Sequence, residues 1–327
     1  MSPLRVHVLE ALDPRARACF EQALARSGAA VELSSGPAEH DARVRVLIGG
    51  RPTREDLERS PALELLLIPF AGLPGSTRRL LADFPQLAVH NLHHNALATA
   101  EGALGLLIAA ARHLGSGDRA LRAGDWRIRY ESPSRSQILA GKTALVLGYG
   151  AIGRRVARLL AALELELLAV RRAPEPGDPP WVHPLEELDA LLPRAEVVVV
   201  CLPETDATRG LLDARRLAAL PRGALLVNVG RGPVVDEEAL YEALRDGQLG
   251  AAGIDVWYAY PPDEAARAHT FPSRFPFHEL ENVVLSPHRV AHGDRNEPLR
   301  WAAVAEFLAA VAAGAPLPHR VDLAQGY

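Results

Sequence analysis

The chain has 327 residues, a net charge of −4 and a sequence pI of about 6.3. This length is enough for two domains, and the slightly acidic charge gives no indication of a nucleic-acid or anionic-membrane partner. There are only two cysteines, Cys19 and Cys201, and the N-terminus enters a strand pattern without a signal-peptide profile. We therefore expect a cytoplasmic protein with no membrane span and no disulfide.

Short apolar runs alternate with helical patterns along almost the whole chain. The first set of predicted strands is Val6–Leu9, Ala30–Leu33, Val44–Ile48, Leu65–Ile68 and Ala88–His90. The second set is Thr143–Leu147, Leu165–Val170, Val197–Cys201, Leu225–Asn228, Ala252–Asp255 and Val283–Leu285. Continuous apolar strands between helices are typical of parallel sheets covered on both faces. We therefore predict an α/β fold with two doubly wound parallel-sheet domains.

Two long apolar helical patterns predict how the chain passes between these domains. Thr99–Leu114 would lead from the first domain into the second, and Pro298–Ala312 would return the chain to the first. We therefore predict one domain from residues 1–95 with 290–327, and a second domain from residues 96–289. The active site is expected in the cleft between them, because ligands usually bind in such crevices.

An apolar strand that begins after Lys142 runs into a G-x-G-x-x-G pattern and then a helical pattern. Gly148 permits a tight turn, Gly150 lets the backbone approach a pyrophosphate, and Gly153 lets helix and strand pack closely. The helix N-terminus offers free N–H groups to the phosphates. Between a strand and a helix, this pattern predicts a site for a nicotinamide dinucleotide. The predicted cofactor contacts in the turn are Gly148, Tyr149, Gly150, Ala151, Ile152 and Gly153.

The next predicted strand ends in Arg171 and Arg172, where a site for NAD usually has an acid. Guanidinium groups match phosphate in a two-pronged contact, so the pair is able to bind the 2′-phosphate of NADP. The alternative is two solvated arginines in an arginine-rich chain. We predict that NADP is the preferred cofactor, with NAD possible.

Motifs along the chain resemble one family in their order and spacing. They are Phe70-Ala71-Gly72, Ala100-Glu101-Gly102, Val146 to Gly153, Leu202-Pro203 with Thr208-Arg209-Gly210, Asn228 to Asp236, Gly253-Ile254-Asp255, Ser286-Pro287-His288, Val321-Asp322 and Gly326-Tyr327. Together they resemble the D-isomer-specific 2-hydroxyacid dehydrogenases over nearly the full length. The resemblance implies a flavodoxin-like substrate domain beside a Rossmann dinucleotide domain.

The resemblance also implies roles for individual residues. Arg231 would bind the substrate carboxylate through the paired donors of its guanidinium, and His288 would be the general acid–base. The backbone N–H groups of Ala71, Gly72 and Leu73 would help to hold the carboxylate. Further cofactor contacts are implied at Leu202, Pro203, Thr208, Val229, Gly230, Arg231, Asp255 and His288. No metal ligand is predicted.

The chain departs from the family at the histidine's partner. Five positions beyond Asp255, where the family normally has an acid that raises the histidine's pKa, this chain has Tyr260. Tyr260 would either hydrogen-bond the ring of His288 as a third catalytic residue or be a packed loop aromatic. Formate dehydrogenases, which resemble the family, carry glutamine at this position, and Asn95 matches their formate-binding asparagine.

We therefore predict an NADP-preferring oxidoreductase that reduces a small 2-oxo acid to the D-2-hydroxy acid. Hydride would come from NADPH and the proton from His288, while Arg231 holds the substrate carboxylate. One alternative is oxidation of a small anion such as formate without a proton relay. An alternative of another class is a dinucleotide-sensing, corepressor-like interaction module.

The resemblance further suggests a homodimer formed through the dinucleotide domains. The helix Thr99–Leu114 and an arm at Ser116–Pro133 would lie at the interface. Trp126, within that arm, would be a buried anchor between the two copies.

Overall fold

A computed structural model describes residues 3–37, 41–130 and 136–326. Pro133, at the end of the predicted arm, and Tyr327, in the last motif, lie outside the described residues. The chain divides into two compact units, one of Met1–Asn95 with Gly293–Tyr327 and the other of Ala96–His292. Both are α/β units on a parallel sheet, so the predicted fold class is confirmed.

Helices and strands largely alternate along the chain. In chain order they are β1 (Leu4–Val8), α1 (Pro14–Ser27), β2 (Val31–Ser35), β3 (Val46–Ile48), α2 (Arg54–Glu58), β4 (Leu65–Ile68), α3 (Gly75–Leu81), β5 (Ala88–Asn91), α4 (Ala96–Ala111), α5 (Leu114–Arg122), α6 (Arg127–Tyr130), β6 (Thr143–Leu147), α7 (Ala151–Ala162), β7 (Glu166–Arg171), β8 (Val182–Pro184), α8 (Leu188–Leu191), β9 (Val197–Val200), α9 (Ala214–Ala218), β10 (Ala224–Asn228), α10 (Glu237–Arg245), β11 (Leu249–Ile254), β12 (Val283–Leu285) and α11 (Asn296–Ala313). Short 3₁₀ turns occur at Leu185–Glu187, Leu192–Arg194, Gly232–Val234, Ala265–Ala268 and Phe277–Glu279.

The sheet of the first unit has the strand order β2-β1-β3-β4-β5, with every neighbouring pair parallel. Successive side chains of a strand point to opposite faces. In β4, Leu65 and Leu67 join one hydrophobic cluster, whereas Leu66 and Ile68 join another. Both faces of this sheet are therefore covered, which explains why its central strands are continuously apolar.

The sheet of the second unit has the strand order β12-β11-β10-β9-β6-β7-β8, again with parallel neighbours. From β6 the chain first builds outward to β7 and β8, and then returns to the other side of β6 with β9. This reversal is a topological switch point, and ligands of open α/β sheets bind at the carboxyl ends of the strands beside it. The loops after β6, β7, β9, β10, β11 and β12 all emerge at that edge.

The structure corrects several predicted boundaries by a few residues. The helix predicted at Thr99–Leu114 is α4, which starts earlier and ends at Ala111. His113 has a left-handed backbone with φ of 50°, and this interrupts the helix before α5 begins. The edge strand β8 was not predicted, because it has three residues and only Val182 is buried.

No single helix of the described residues is long and apolar enough to cross a membrane. The helices α4 and α5 pass that test only as a pair, and they are bent by 66° relative to each other. Six of the eight buried residues of α4 belong to a hydrophobic cluster of the second unit.

Candidate active site

The turn between β6 and α7 has the geometry of a phosphate-binding turn. Gly148 has a φ of +100°, a conformation that L side chains rarely adopt. A Cβ on Gly153 would lie 1.9 Å from the carbonyl oxygen of Gly148, so only glycine permits this contact between helix and strand. A Cβ on Gly150, in contrast, would meet nothing within 4 Å. The open side of the turn is therefore at the middle glycine, where a pyrophosphate would approach.

The first turn of α7 is free to bind an anion. Gly150 is the N-cap residue, and no side chain caps the helix. The N–H groups at this end, with the positive end of the helix dipole, suit a phosphate. Tyr149 is 7% exposed and packs edge-on against Trp181, with ring centroids 5.2 Å apart. The residues present fit a dinucleotide, because the turn is open at Gly150 and no side chain caps the helix N-terminus.

A cluster of four charged side chains lies at the end of β7. Asp178 is only 4% exposed and pairs with Arg154 and Arg171, each at 2.8 Å. Glu175 is 58% exposed, pairs with Arg171, and lies 3.2 Å from Arg154. The hydrogen bond from Arg171 lowers the pKa of Glu175, so this carboxylate is charged at neutral pH. Two carboxylates therefore lie against Arg171, although the sequence has no acid at the end of the strand itself.

These acids were missed because they follow Arg171 by four and seven residues and come back to it through a turn. The backbone N–H of Glu175 donates to the Asp178 carboxylate at 2.9 Å, which closes that turn. Arg172, the other arginine of the pair, is exposed. The guanidinium of Arg154 also lies over the ring of Tyr149, 4.6 Å from its centroid.

The loop after β9 is held by a buried threonine. The Thr208 hydroxyl donates to the carbonyl of Pro203 at 2.6 Å and accepts from the backbone N–H of Thr205 at 2.8 Å. Thr208 is 5% exposed and Leu202 is 9% exposed. Thr208 therefore shapes the loop, and Leu202 belongs to the hydrophobic core.

The loop after β10 carries Arg231, and a buried asparagine fixes its backbone. Asn228, 1% exposed, accepts from the N–H of Gly230 at 3.1 Å and donates to the carbonyl of Arg231 at 3.1 Å. A Cβ on Gly230 would lie 2.5 Å from the carbonyl oxygen of Leu202, and one on Gly232 would lie 2.4 Å from that of Trp257. The glycines on both sides of Arg231 are therefore required by close backbone packing. Val229, 5% exposed, belongs to the core.

The guanidinium of Arg231 donates to the carbonyl of Gly230 at 2.6 Å. Among the described residues of its unit, no carboxylate forms an ion pair with it, in contrast to Arg171 or Arg154. A half-buried arginine without an acidic partner is suited to bind the carboxylate of a ligand through paired hydrogen bonds.

Asp255 organises the turn that presents His288. It is 1% exposed and accepts from the Ser286 hydroxyl, from the N–H of Arg289 at 2.8 Å and from the N–H of Val290 at 3.3 Å. His288, inside that turn, has a φ of 57°, a left-handed conformation that is uncommon for a residue other than glycine. Such strain persists only where surrounding contacts fix it, and it often marks functional sites.

Tyr260 is the hydrogen-bond partner of His288. The Tyr260 hydroxyl lies 3.0 Å from Nδ1 of His288 and accepts from the backbone N–H of Trp257 at 3.1 Å. Because the Trp257 N–H uses an acceptor site of the hydroxyl, the Tyr260 proton is available for Nδ1. A neutral His288 then carries its own proton on Nε2.

Partial burial and the positive charge of Arg231 lower the pKa of His288, while Asp255 acts in the opposite direction. Burial raises the pKa of Tyr260, so this hydroxyl stays neutral at physiological pH. The histidine has no carboxylate on Nδ1 to favour its charged form. Its proton is therefore held more weakly than that of an ordinary histidine.

The structure brings Arg231, Asp255, Tyr260 and His288 together in the second unit. The remaining predicted substrate contacts, Ala71, Gly72, Leu73 and Asn95, belong to the first unit. There, the buried Asn91 donates to the carbonyl of Ala71 at 2.8 Å, which fixes the loop after β4. Asn95 lies directly before α4. Within the described residues, no group of three His, Cys, Asp or Glu side chains is placed to hold a metal ion.

Six further residues hold this site in place, and their roles were not predicted, although Asn228 and Ser286 lie in the motifs named above. They are Asn91, Glu175, Asp178, Asn228, Trp257 and Ser286. One signal was available for two of them, because Asn91 and Asn228 are polar residues at the end of a buried strand. The indole N–H of Trp257 donates to the carbonyl of Ser286 at 2.8 Å, and no sequence pattern indicates that contact.

Comparison with known proteins places this chain among dehydrogenases. The family model described as the NAD binding domain of D-isomer specific 2-hydroxyacid dehydrogenases matches residues 104–290. A D-3-phosphoglycerate dehydrogenase of Archaeoglobus fulgidus is 35% identical over 70% of this chain and 41% of its own length. A hydroxypyruvate reductase of Thermotoga maritima is 27% identical over 88% of this chain and 92% of its own length. The chain spans about half the length, or less, of the curated D-3-phosphoglycerate dehydrogenases that it matches.

A solved structure is similar over the whole length. It is a D-isomer specific 2-hydroxyacid dehydrogenase from Xanthobacter autotrophicus Py2, determined in complex with NADPH and MES. Its TM-score is 0.80 at 30% sequence identity, with 100% of both chains covered. The similarity therefore includes both units.

Proposed function

This chain belongs to the D-isomer-specific 2-hydroxyacid dehydrogenase family of NAD(P)-dependent oxidoreductases, and from this premise we propose that it reduces a small 2-oxo acid to the D-2-hydroxy acid. The observation that carries the proposal is the group of Arg231, Tyr260 and His288. The charge of Arg231, which has no ion pair among the described residues of its unit, acts on a histidine that Tyr260 hydrogen-bonds. In a 2-oxo acid, Arg231 would bind the carboxylate and His288 would bind the adjacent carbonyl oxygen.

Arg231 holds the substrate by its carboxylate. Two parallel N–H···O bonds fix both the position and the orientation of a planar carboxylate. The cofactor, when bound, supplies hydride to the carbonyl carbon. Asn228 and the flanking glycines fix the backbone of Arg231, and the Gly230 carbonyl accepts a hydrogen bond from its guanidinium.

His288 supplies the proton from Nε2 to the carbonyl oxygen as negative charge develops there. The charged ring carries protons on both nitrogens, and its Nδ1–H then donates to the Tyr260 hydroxyl. After the transfer the ring is neutral with its remaining proton on Nδ1, and this N–H still donates to the Tyr260 hydroxyl. In the other neutral form, with the proton on Nε2, the hydroxyl rotates and donates to Nδ1 instead. Tyr260 can therefore stabilise both protonation states, whereas a carboxylate accepts only and favours the charged ring.

NADP is the proposed preferred cofactor. The last strand residue, Arg171, and the adjacent Arg172 are the cations at the point where this fold places the ribose 2′ position. The similar Xanthobacter dehydrogenase was determined with NADPH. In the loops after β9, β10, β11 and β12, the proposed cofactor contacts are those predicted from the sequence. Thr208 would contribute by fixing the shape of the loop after β9.

The first unit contributes substrate contacts in this proposal. The backbone N–H groups of Ala71, Gly72 and Leu73 and the amide of Asn95 would supplement Arg231. Asn95→Ala should then raise KM for the oxo acid more than it lowers kcat, because it would remove binding and not proton transfer.

We also propose a cytoplasmic location, since Cys19 and Cys201 are both free thiols.

An assay of cofactor absorbance tests this function. NADPH and then NADH are followed with glyoxylate, hydroxypyruvate, pyruvate, phenylpyruvate and a branched oxo acid. Turnover of at least one oxo acid, faster with NADPH, is expected. Formate with NADP⁺ serves as the alternative substrate, and turnover of formate alone would replace oxo-acid reduction by anion oxidation. Tight cofactor binding without turnover of any of these compounds would support the dinucleotide-sensing alternative instead.

Tyr260→Glu should move the pH profile of reduction to higher pH. In the native protein the pKa of His288 is lowered, so kcat/KM for reduction falls as the pH rises through a value below that of an ordinary histidine. A carboxylate near Nδ1 favours the imidazolium, and the fall should then occur roughly one pH unit or more higher. The measurement is kcat/KM against pH for the native protein, Tyr260→Glu and Tyr260→Gln. An unchanged profile in the glutamate variant, or the same shift in the glutamine variant, would contradict the assigned contact.

The proposed partner is a second copy of this chain. Several large apolar side chains are exposed in α5 and between α5 and β6 of the isolated chain: Leu114 at 54%, Leu121 at 52%, Trp126 at 58%, Ile128 at 49%, Tyr130 at 75% and Ile138 at 71%. Apolar patches of this kind are typical of interfaces, and tryptophan is a common anchor in them.

Trp126→Asp should convert a dimer to a monomer, because a charge would be buried at the interface. Light scattering after size-exclusion chromatography should give twice the chain mass of 35.2 kDa for the native protein and a single chain mass for the variant. Phe271→Asp is the matched control, since Phe271 is 63% exposed but lies outside the arm. A native mass of one chain at micromolar concentration would exclude the dimer.

A further inference from the structure

The charged cluster at the end of β7 contains two carboxylates in different environments. Asp178 bridges Arg154 and Arg171 and is almost fully buried, so it is a fixed part of the fold. Glu175 contacts the same two arginines from the solvent side, and its side chain is 58% exposed. Exposed ion pairs contribute little to stability and open readily. Glu175 is therefore the replaceable member of the cluster.

We propose that Glu175 competes with the 2′-phosphate of the cofactor for Arg171 and Arg154, and thereby sets the discrimination between NADPH and NADH. The inference rests on the proposed function, because it assumes that the cofactor's ribose lies at the end of β7. With both carboxylates in place, two positive and two negative charges balance. When Glu175 moves away, the cluster carries one net positive charge and two guanidinium groups that a phosphate can bind.

The two cofactors place different demands on this cluster. NADPH must displace the carboxylate to reach Arg171, whereas NADH has only a hydroxyl at the 2′ position and leaves the ion pairs intact. Glu175 therefore weakens NADPH binding and has little effect on NADH binding. The preference between NADPH and NADH is therefore the balance of two effects. The arginines attract the 2′-phosphate, and the Glu175 carboxylate opposes this by pairing with the same arginines.

Glu175→Gln tests this competition by direct binding. Calorimetric titration with NADPH and with NADH, in a phosphate-free buffer of low ionic strength, measures affinity without turnover. We expect Glu175→Gln to bind NADPH about three- to tenfold more tightly, the range given by the loss of weak exposed ion pairs, and NADH within about twofold of the native protein. The gain should shrink as salt is added, because exposed charges are screened.

Two further variants make the result specific. In the Arg171→Ala background, Glu175→Gln should lose most of its gain in NADPH affinity, because the guanidinium for which carboxylate and phosphate compete is absent. Glu242→Gln is the matched control, since Glu242 is 51% exposed and pairs with Arg245 on α10 in the same unit. It should change neither affinity.

The possible results distinguish a failure of the proposed competition from a failure of the proposed NADP preference. Unchanged NADPH affinity in Glu175→Gln overturns the competition, even if the native protein prefers NADPH. Weaker NADH binding in that variant also overturns it, because Glu175 would then be holding the ribose hydroxyls. A native protein without preference that gains one for NADPH in Glu175→Gln would support the competition and refute the proposed NADP preference.

Discussion

Replacing Arg231 with alanine should lower kcat/KM for the best oxo acid by roughly a thousandfold. A hydrogen bond to a charged group contributes about 1.5–3 kcal/mol, and a guanidinium makes two of them to a carboxylate. A loss of about 4 kcal/mol corresponds to roughly that factor in rate. Arg231→Lys should keep the charge but not the paired geometry, so it should recover only part of the loss. The measurement is steady-state kinetics with the oxo acid varied at saturating cofactor.

The fold of the Arg231→Ala protein should be intact, because this side chain takes part in no ion pair among the described residues of its unit. Its Tm should stay within a few degrees of the native value. Arg245→Ala is the matched control, since Arg245 is 49% exposed and pairs with Asp246 at the end of α10. Native kcat/KM in Arg231→Ala would refute the assignment of the carboxylate site.

Replacing His288 with asparagine should lower kcat for reduction by about a hundred- to ten-thousandfold. This is the range that a positioned general acid contributes. Asparagine is chosen because residue 288 has a left-handed backbone, with φ of 57°, which asparagine adopts more readily than most residues. The variant should also lose the dependence of the rate on the histidine's pKa.

The same variant separates proton transfer from binding. KM for the oxo acid should change far less than kcat, because Arg231 still holds the carboxylate. His278→Asn, at an exposed histidine of the same unit, should behave like the native protein. If His288→Asn kept more than about a tenth of the native kcat, another group would have to donate the proton.

The dinucleotide turn could be predicted from sequence because its chemistry is local. Gly148 supplies a positive φ, Gly153 permits the close contact of helix and strand, and Gly150 leaves the turn open, and all three lie within six residues of the chain. The parallel sheets were predictable for a related reason. A strand such as β9, with alternate side chains in two different clusters, must be apolar at every position.

The environment of Arg171 could not be predicted, because it depends on how a loop returns to the strand. The pair Arg171-Arg172 reads as an open phosphate site in the sequence, and only the fold shows Glu175 and Asp178 against Arg171. Tyr260 is a similar case. The sequence left open whether it contacts His288 or packs in the loop, and the structure shows the hydrogen bond to Nδ1. Its catalytic role stays a prediction.

The most direct test is the chirality of the product formed from hydroxypyruvate and NADPH by the native protein, measured by chiral chromatography beside the loss of NADPH absorbance. Equal amounts of NADPH consumed and D-glycerate formed would establish the reduction that we assign to Arg231 and His288. An L product, or NADPH bound without being consumed by hydroxypyruvate and the other oxo acids, would contradict it.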